Sequence, residues 1–157
     1  MKEWLGLVAR LVTGGVWLYA GALKLSDPAQ SVQAVRAYQL LPSSVVSPVG
    51  QLLPILEIVV GAMLVLGLLT RGAAAVSAVL FLAFIIGIAS VWARGIEIDC
   101  GCFGGGGYDP NASEKYPWEI ARDAALLAAS VWLVTLRSTR LSLDSRLFAP
   151  RPSPEGA

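Results

Sequence analysis

The strongest constraint on this chain is a series of apolar segments, each long enough to cross a bilayer. A helix rises 1.5 Å per residue, so about 20 mostly apolar residues span a hydrocarbon core about 30 Å thick. Trp4 to Leu23 is one such segment, with Arg10 its only charge. Val49 to Leu69 is a second, with Glu57 its only charge, and Ala73 to Trp92 is a third with none. Ile120 to Leu136 is a fourth, with Arg122 and Asp123 in its first turn. Hydrophobic residues make up 55% of the 157-residue chain and charged residues 15%, below the quarter or so usual in a soluble domain. The net charge of +1 gives no basic surface for nucleic acid. No stretch alternates with the period of a strand, so the expected fold is all-α: a four-helix transmembrane bundle with spans at about 4–23, 49–69, 73–92 and 120–136.

Local chemistry marks the helix ends. In "SDP", Asp27 is an N-cap and Pro28 a first helical residue, predicting a short interfacial helix between helices 1 and 2, about Pro28 to Leu40. "SP" at 47 and 48 repeats that pattern ahead of the second span, and "YPWEIARD" at 116 to 123 opens the fourth, with Glu119 near the positive end of its dipole. Met1 to Ala22 has the outline of a signal peptide ending in "AGA", but Glu3 and Arg10 argue against cleavage. Residues 1–137 form the membrane domain, and 138–157, basic and then rich in Pro and Ser, are expected to be a disordered cytoplasmic tail.

Four spans place both termini on one side. Lys2, Arg71, Arg137, Arg140, Arg146 and Arg151 fall there, against Lys24, Arg36, Arg94 and Lys115 on the other. The positive-inside rule then puts the termini in the cytoplasm of a plasma-membrane protein and the loop between spans three and four outside.

That loop, "EIDCGCFGGGG", carries the only two cysteines, Cys100 and Cys102. A disulfide needs α-carbons within about 7 Å, and residues one apart reach that only if the middle one bends, which Gly101 does at little cost. So small a ring is strained, and strained, exposed disulfides are labile and oxidising, which suits electron exchange better than stapling a fold. The glycines at 104 to 107 would let a partner's cysteine approach. Asp99 disfavours a thiolate at Cys100, leaving Cys102 the stronger nucleophile. The alternatives are a metal site, for which two thiolates without histidine are too few, and an inert buried pair, for which a Gly-rich loop beside acids is a poor setting.

Charges within spans are functional candidates. Glu57 lies roughly 12 Å below the outer face and Arg122 enters from that face, so a Glu57–Arg122 pair is expected beneath the cysteine loop, with Arg10 a second candidate partner. Pro54, Glu57 and Gly61 share one helix face; Gly14 and Gly21 offer close packing on the first helix, and Ala121, Ala125 and Ala129 on the fourth.

The stretches "YAGALKLSDP", "YQLLP", "LLPILEIVVGAMLVLG", "RGIEIDCGCFG" and "ARDAALL" together resemble the MauE/DoxX family of redox-associated membrane proteins, in its methylamine-utilisation branch. The resemblance implies a four-helix membrane bundle that forms or handles disulfides with an extracytoplasmic thioredoxin-fold partner. It carries over Cys100 and Cys102 as the redox pair, with Lys24, Glu57 and Arg122 as matching polar positions. The chain has no second cysteine pair, no histidine for haem and no flavin fingerprint, so a membrane quinone is the simplest electron acceptor, expected among Cys100, Trp92 and Trp118 with Glu57 or Arg122 at its oxygens. No metal is expected. The rival readings are a non-enzymatic membrane scaffold for a redox partner and a small transporter coupled through Glu57.

Overall fold

The computed structural model describes residues 1–136 and Leu143; the tail assigned to 138–157 otherwise lies outside the described residues. The described chain is helical apart from one small hairpin: α1 Lys2–Ser26, α2 Pro28–Ala37, α3 Ser43–Leu66, α4 Thr70–Ala93, β1 Ile98–Asp99, β2 Gly107–Tyr108 and α5 Ala112–Thr135. Among the described residues, three helices are long and apolar enough to cross a membrane: Glu3–Ser26, Ser43–Leu66 and Thr70–Ala93. Their outward faces expose Leu5, Leu52, Val59, Val79 and Ile86, the apolar surface that lipid would cover. α5 has the same 24-residue length as α3 and α4, but Glu114, Lys115, Glu119, Arg122 and Asp123 crowd its first half.

Several boundaries differ from the sequence expectation. α2 starts as expected, with the Asp27 carboxylate accepting the Gln30 N–H, but ends at Ala37. α3 begins at Ser43, so Pro48 lies inside the helix rather than at its start. It ends at Gly67 in the left-handed conformation, with the Leu68 N–H returning to the Met63 carbonyl. α5 begins at Ala112, before the expected start, because Asp109 accepts from the backbone of Asn111 and Ala112 and pairs with Lys115. The two-residue strands were not expected from the sequence. They pair antiparallel, Ile98 with Tyr108 and Asp99 with Gly107.

α1 packs along α3 and α4 along α5, with α1 also touching α5 and α3 touching α4. Glycines set the α1–α3 approach, as the spacing of Gly14, Gly21 and Gly61 suggests. A Cβ at Gly61 would lie 2.8 Å from the Gly14 carbonyl oxygen and 2.9 Å from the Leu18 nitrogen. A Cβ at Gly21 would meet the Pro54 carbonyl oxygen at 2.9 Å. Pro54 itself removes the N–H that would bond the Gly50 carbonyl. The Ser31 hydroxyl of α2 donates to that carbonyl at 2.7 Å, so α2 repairs the gap in α3.

The core between the long helices holds Trp17, Val60, Leu64, Ala74, Phe81 and Leu133. A polar chain crosses it. The Trp17 indole donates to Ser77 Oγ at 2.7 Å, and Ser77 Oγ lies 2.9 Å from Ser130 Oγ. The buried line of α5 is Tyr116, Asp123, Ser130 and Leu133. The expected alanine stripe does not face inward: Ala121 and Ala125 are exposed, two residues and so about 200° around the helix from Asp123 and its register.

Backbone atoms cannot move aside as a flexible side chain can, so Gly61→Ala should destabilise the protein by about 1–3 kcal/mol through overpacking. Gly15→Ala meets nothing within 4 Å and should be neutral or slightly stabilising. Thermal unfolding in detergent checks both; an unchanged melting temperature for Gly61→Ala would refute the tight crossing.

Candidate functional site

The cysteine loop is folded down onto the helices. Gly101, with φ +65, places its α-carbon where a Cβ would come within 2.6 Å of Ala34 Cβ on α2; Gly106 is as close to Ala34, and Gly104 abuts Leu23. The glycine run therefore serves close packing within the chain, not an open approach for a partner. Two tyrosines hold the loop. Tyr38 donates to the Cys100 carbonyl at 2.7 Å, and the Tyr38 carbonyl accepts from Arg94 at 2.5 Å. The Tyr116 hydroxyl accepts from the Ile98 N–H at 3.0 Å and lies 2.8 Å from the Ile96 carbonyl oxygen.

Both cysteines are free thiols, and both are buried, at 6% and 7% exposure. The expected exposure is thus corrected: Cys100 and Cys102 share an apolar cluster with Ile88, Val91, Ile98 and Tyr116, because the hairpin and Tyr116 close over them. The Cys102 N–H points at Cys100 Sγ, 3.3 Å away. The Asp99 carboxylate accepts the Gly101 N–H at 2.8 Å, stabilising the bend between the two thiols. The hydrogen bond between the thiols, and then burial, push the Cys100 thiol far above the ordinary thiol range. Burial beside the two thiols likewise pushes the Tyr38 phenol up and keeps it a donor.

Glu119 completes this cluster. Its carboxylate lies near enough to help raise the Cys100 thiol, and its Oε2 is buried with no hydrogen-bond partner among the described residues. Sequence reasoning took Glu119 only as a helix-dipole residue. Tyr38, Tyr116 and Ser31 were missed as well. No spacing signal links residues 38, 100 and 119; the contact is made by α2, the hairpin and α5 meeting at one end of the molecule.

The membrane charges pair differently from the expectation. Glu57 is bound not by Arg122 or Arg10 but by Lys24, whose ammonium donates to Glu57 Oε1 at 2.5 Å; the two side chains are 4% and 0% exposed. The α1–α3 crossing at Gly21 brings them together, since a Cβ at Gly21 would touch Glu57 Cβ. Glu57 Oε2 has no hydrogen-bond partner among the described residues, and the Lys24 ammonium also lies 5.2 Å from the Phe84 ring centre. Arg122 bonds the carboxylate of its neighbour Asp123 at 2.9 and 3.0 Å and covers the Phe103 ring at 4.6 Å. Arg10 donates to the Val65 carbonyl.

Lys24 and Cys100 face a common small cavity of about 20 Å³, with Ser31, Tyr38, Phe84 and Gly101 among its walls. Trp92 and Trp118 line neither this cavity nor the apolar cleft outside it. Trp92 rests on Tyr116, ring centres 6.4 Å apart, and Trp118 is 72% exposed. The structure therefore gathers Cys100, Cys102, Gly101 and Lys24 with its partner Glu57, keeps Arg122 beside Phe103, and leaves both tryptophans outside.

The family model for methylamine utilisation protein MauE matches residues 2–136, and the chain belongs to the MauE family. Membership implies a redox-associated role at a membrane. No curated protein and no solved structure matches the chain.

Removing one partner of a buried ion pair strands the other. Lys24→Met should cost about 3–5 kcal/mol, and Lys24→Met with Glu57→Leu should recover part of that loss. Chemical denaturation of the four members of the cycle measures it, and Arg122→Ala should show no such coupling to Glu57. Cys100 supplies a second test. Its folded pKa is raised, so stability is full below the ordinary thiol pKa of about 8.5 and falls as pH rises above it. Cys100→Ala should flatten that alkaline fall in melting temperature.

Proposed function

We propose that this MauE-family chain is a membrane thiol–disulfide oxidoreductase: Cys100 and Cys102 exchange electrons with an extracytoplasmic thioredoxin-fold partner and pass them to a membrane quinone, supporting disulfide formation. In this reading α5 is the fourth span of a four-helix transmembrane bundle, α2 lies at the outer interface, and both termini are cytoplasmic. The uneven distribution of Lys and Arg supports that orientation.

The observation that carries the proposal is the arrangement around Cys100. Two thiols bracket a glycine bend, a backbone N–H is directed at one sulfur, and the Glu119 carboxylate lies near the same thiol. A thiol reacts as its thiolate, and a buried thiol held protonated needs a base within reach. Glu119 is that base, with Oε2 unbonded to protein and available to relay the proton. The partner's thiolate attacks the Cys100–Cys102 disulfide, forms a mixed disulfide and expels one cysteine as a thiolate. The partner's second thiol resolves it, leaving the partner oxidised and the pair a dithiol. A quinone held here would supply the two-electron oxidant that lets the dithiol return to disulfide, with two electrons and two protons leaving the cysteines. Glu119 accepts the Cys100 proton in that second step, and Lys24 presents a positive charge in the wall of the cavity that Cys100 also lines.

Burial of both thiols favours one other reading, a membrane scaffold in which the loop only docks a redox partner. Purified protein given a reduced thioredoxin-fold protein and decylubiquinone separates the two. The oxidoreductase should form one quinol per partner dithiol, and the scaffold none. Given the oxidised partner instead, Cys102→Ser or Cys100→Ser should attack its disulfide with the remaining thiolate and expel one partner thiolate. With no neighbouring cysteine to resolve the product, either variant should accumulate a mixed disulfide visible on non-reducing gels. Glu119→Gln should slow quinol formation by about 10²-fold or more while leaving the fold intact. Normal turnover in Glu119→Gln would remove the carboxylate from the mechanism.

A further inference from the structure

An apolar cleft opens on the lipid-facing side of α2, α3 and α4. Its volume is about 250 Å³, and Val35, Tyr38, Val49, Leu53, Phe84 and Gly87 are among its walls. Four of its residues, Val35, Tyr38, Leu53 and Phe84, also wall the 20 Å³ cavity between Lys24 and Cys100. The two spaces are therefore neighbours with those four side chains as a common wall: a greasy outer slot and a small inner space lined by a cation. The inner space holds about one water or one oxygen atom. It is too small for a ring.

We infer that the cleft is the seat of an isoprenoid quinone, with the ring between Tyr38 and Phe84 and one carbonyl oxygen in the inner cavity between the Lys24 ammonium and the Cys100 thiol. This rests on the quinone-linked reading and gives it a place, different from the tryptophan-lined one that the sequence suggested. The chemistry of the two spaces matches that ligand class. A lipid acyl chain would fill the outer slot and leave the inner cavity facing a buried cation. A ring ether or carbonyl oxygen on an apolar body fills both. Charge complementarity supports the assignment. Lys24 is a donor with three N–H groups of which one is used by Glu57 Oε1, and Glu57 is wholly buried with Oε2 unpartnered. Such unpaired polar capacity inside an apolar interior is costly unless something else occupies it. An ammonium at the carbonyl oxygen also stabilises the negative charge that develops there on reduction. The cleft is small for a whole ligand, so the isoprenoid tail extends from it into the bilayer.

The test uses the full chain in nanodiscs of quinone-free lipid. Decylubiquinone should quench the fluorescence of Trp17, whose ring centre is 6.0 Å from that of Phe84. An azidoquinone should attach to residues of α2 and α4 around Tyr38 and Phe84. Ala83→Phe, which narrows the cleft, should weaken binding at least tenfold while the cysteines still form a mixed disulfide with the partner. Lys24→Gln should weaken binding of the quinone but not of decanol, which has the tail without the ring. Attachment elsewhere in the wild-type chain overturns the site without reliance on any variant, and equal competition by decanol reduces it to a lipid groove. Correct attachment without quinol formation would leave the site standing and sink the electron-transfer reading. Quinol formation with attachment elsewhere would do the reverse.

Discussion

The ion pair of Lys24 and Glu57 is the interaction on which the arrangement of helices depends. Neither charge is tolerable alone in this interior, and together they fix α1 against α3 at one height. The glycines at 14, 21 and 61 allow the approach that the pair requires, because a side chain at any of them would hold the backbones apart. The pair also faces the end of the molecule where the cysteine loop sits. Packing and chemistry therefore meet at the same residue, Lys24, which is a structural partner on one side and a cavity wall on the other.

The remaining polar groups follow the same logic of mutual satisfaction. Pro54 leaves the Gly50 carbonyl without its helical donor, and Ser31 supplies one from α2. This ties the short helix to α3 and so positions Ala34 and Tyr38, on which the cysteine loop rests. On the far side, the Trp17–Ser77–Ser130 chain links α1, α4 and α5 through groups that would be expensive if left unpaired in lipid. The molecule thus spends few polar side chains in its interior, and most of them join two or more helices.

Around the cysteines, burial and reactivity oppose each other. The neighbouring Cys102 thiol, and then desolvation, hold the Cys100 thiol protonated. The Glu119 carboxylate lies near the same thiol, with its Oε2 buried and without a hydrogen-bond partner among the described residues. A loop seated by glycine contacts, two tyrosine hydroxyls and one short hairpin is also easier to lift than a helix, since little apolar area holds it down.

Three apolar spans, the cap at Asp27, the close-packing glycines of α1 and the burial-worthy charges Lys24 and Glu57 were legible in the chain. Apolar length, proline and glycine chemistry, and the rarity of charge in a membrane segment are local properties, and they act without knowledge of the neighbours. Who pairs with whom was not legible. Depth alone offered Glu57 both Arg122 and Arg10, and the choice of Lys24 rests on the crossing of α1 over α3. The alanines of α5 looked like a packing face until the register of Asp123 and Ser130 placed two of them outward. Glu119 gained its place beside Cys100 from the meeting of α5 with the hairpin. The glycine run reads as openness when taken alone, and becomes close contact once Ala34 lies beneath it. Sequence determined which segments are helical and where the rare thiols and charges fall along them. Only the tertiary structure decided their partners and their burial, because both depend on the rotation and height of each helix against the next, which no single segment encodes.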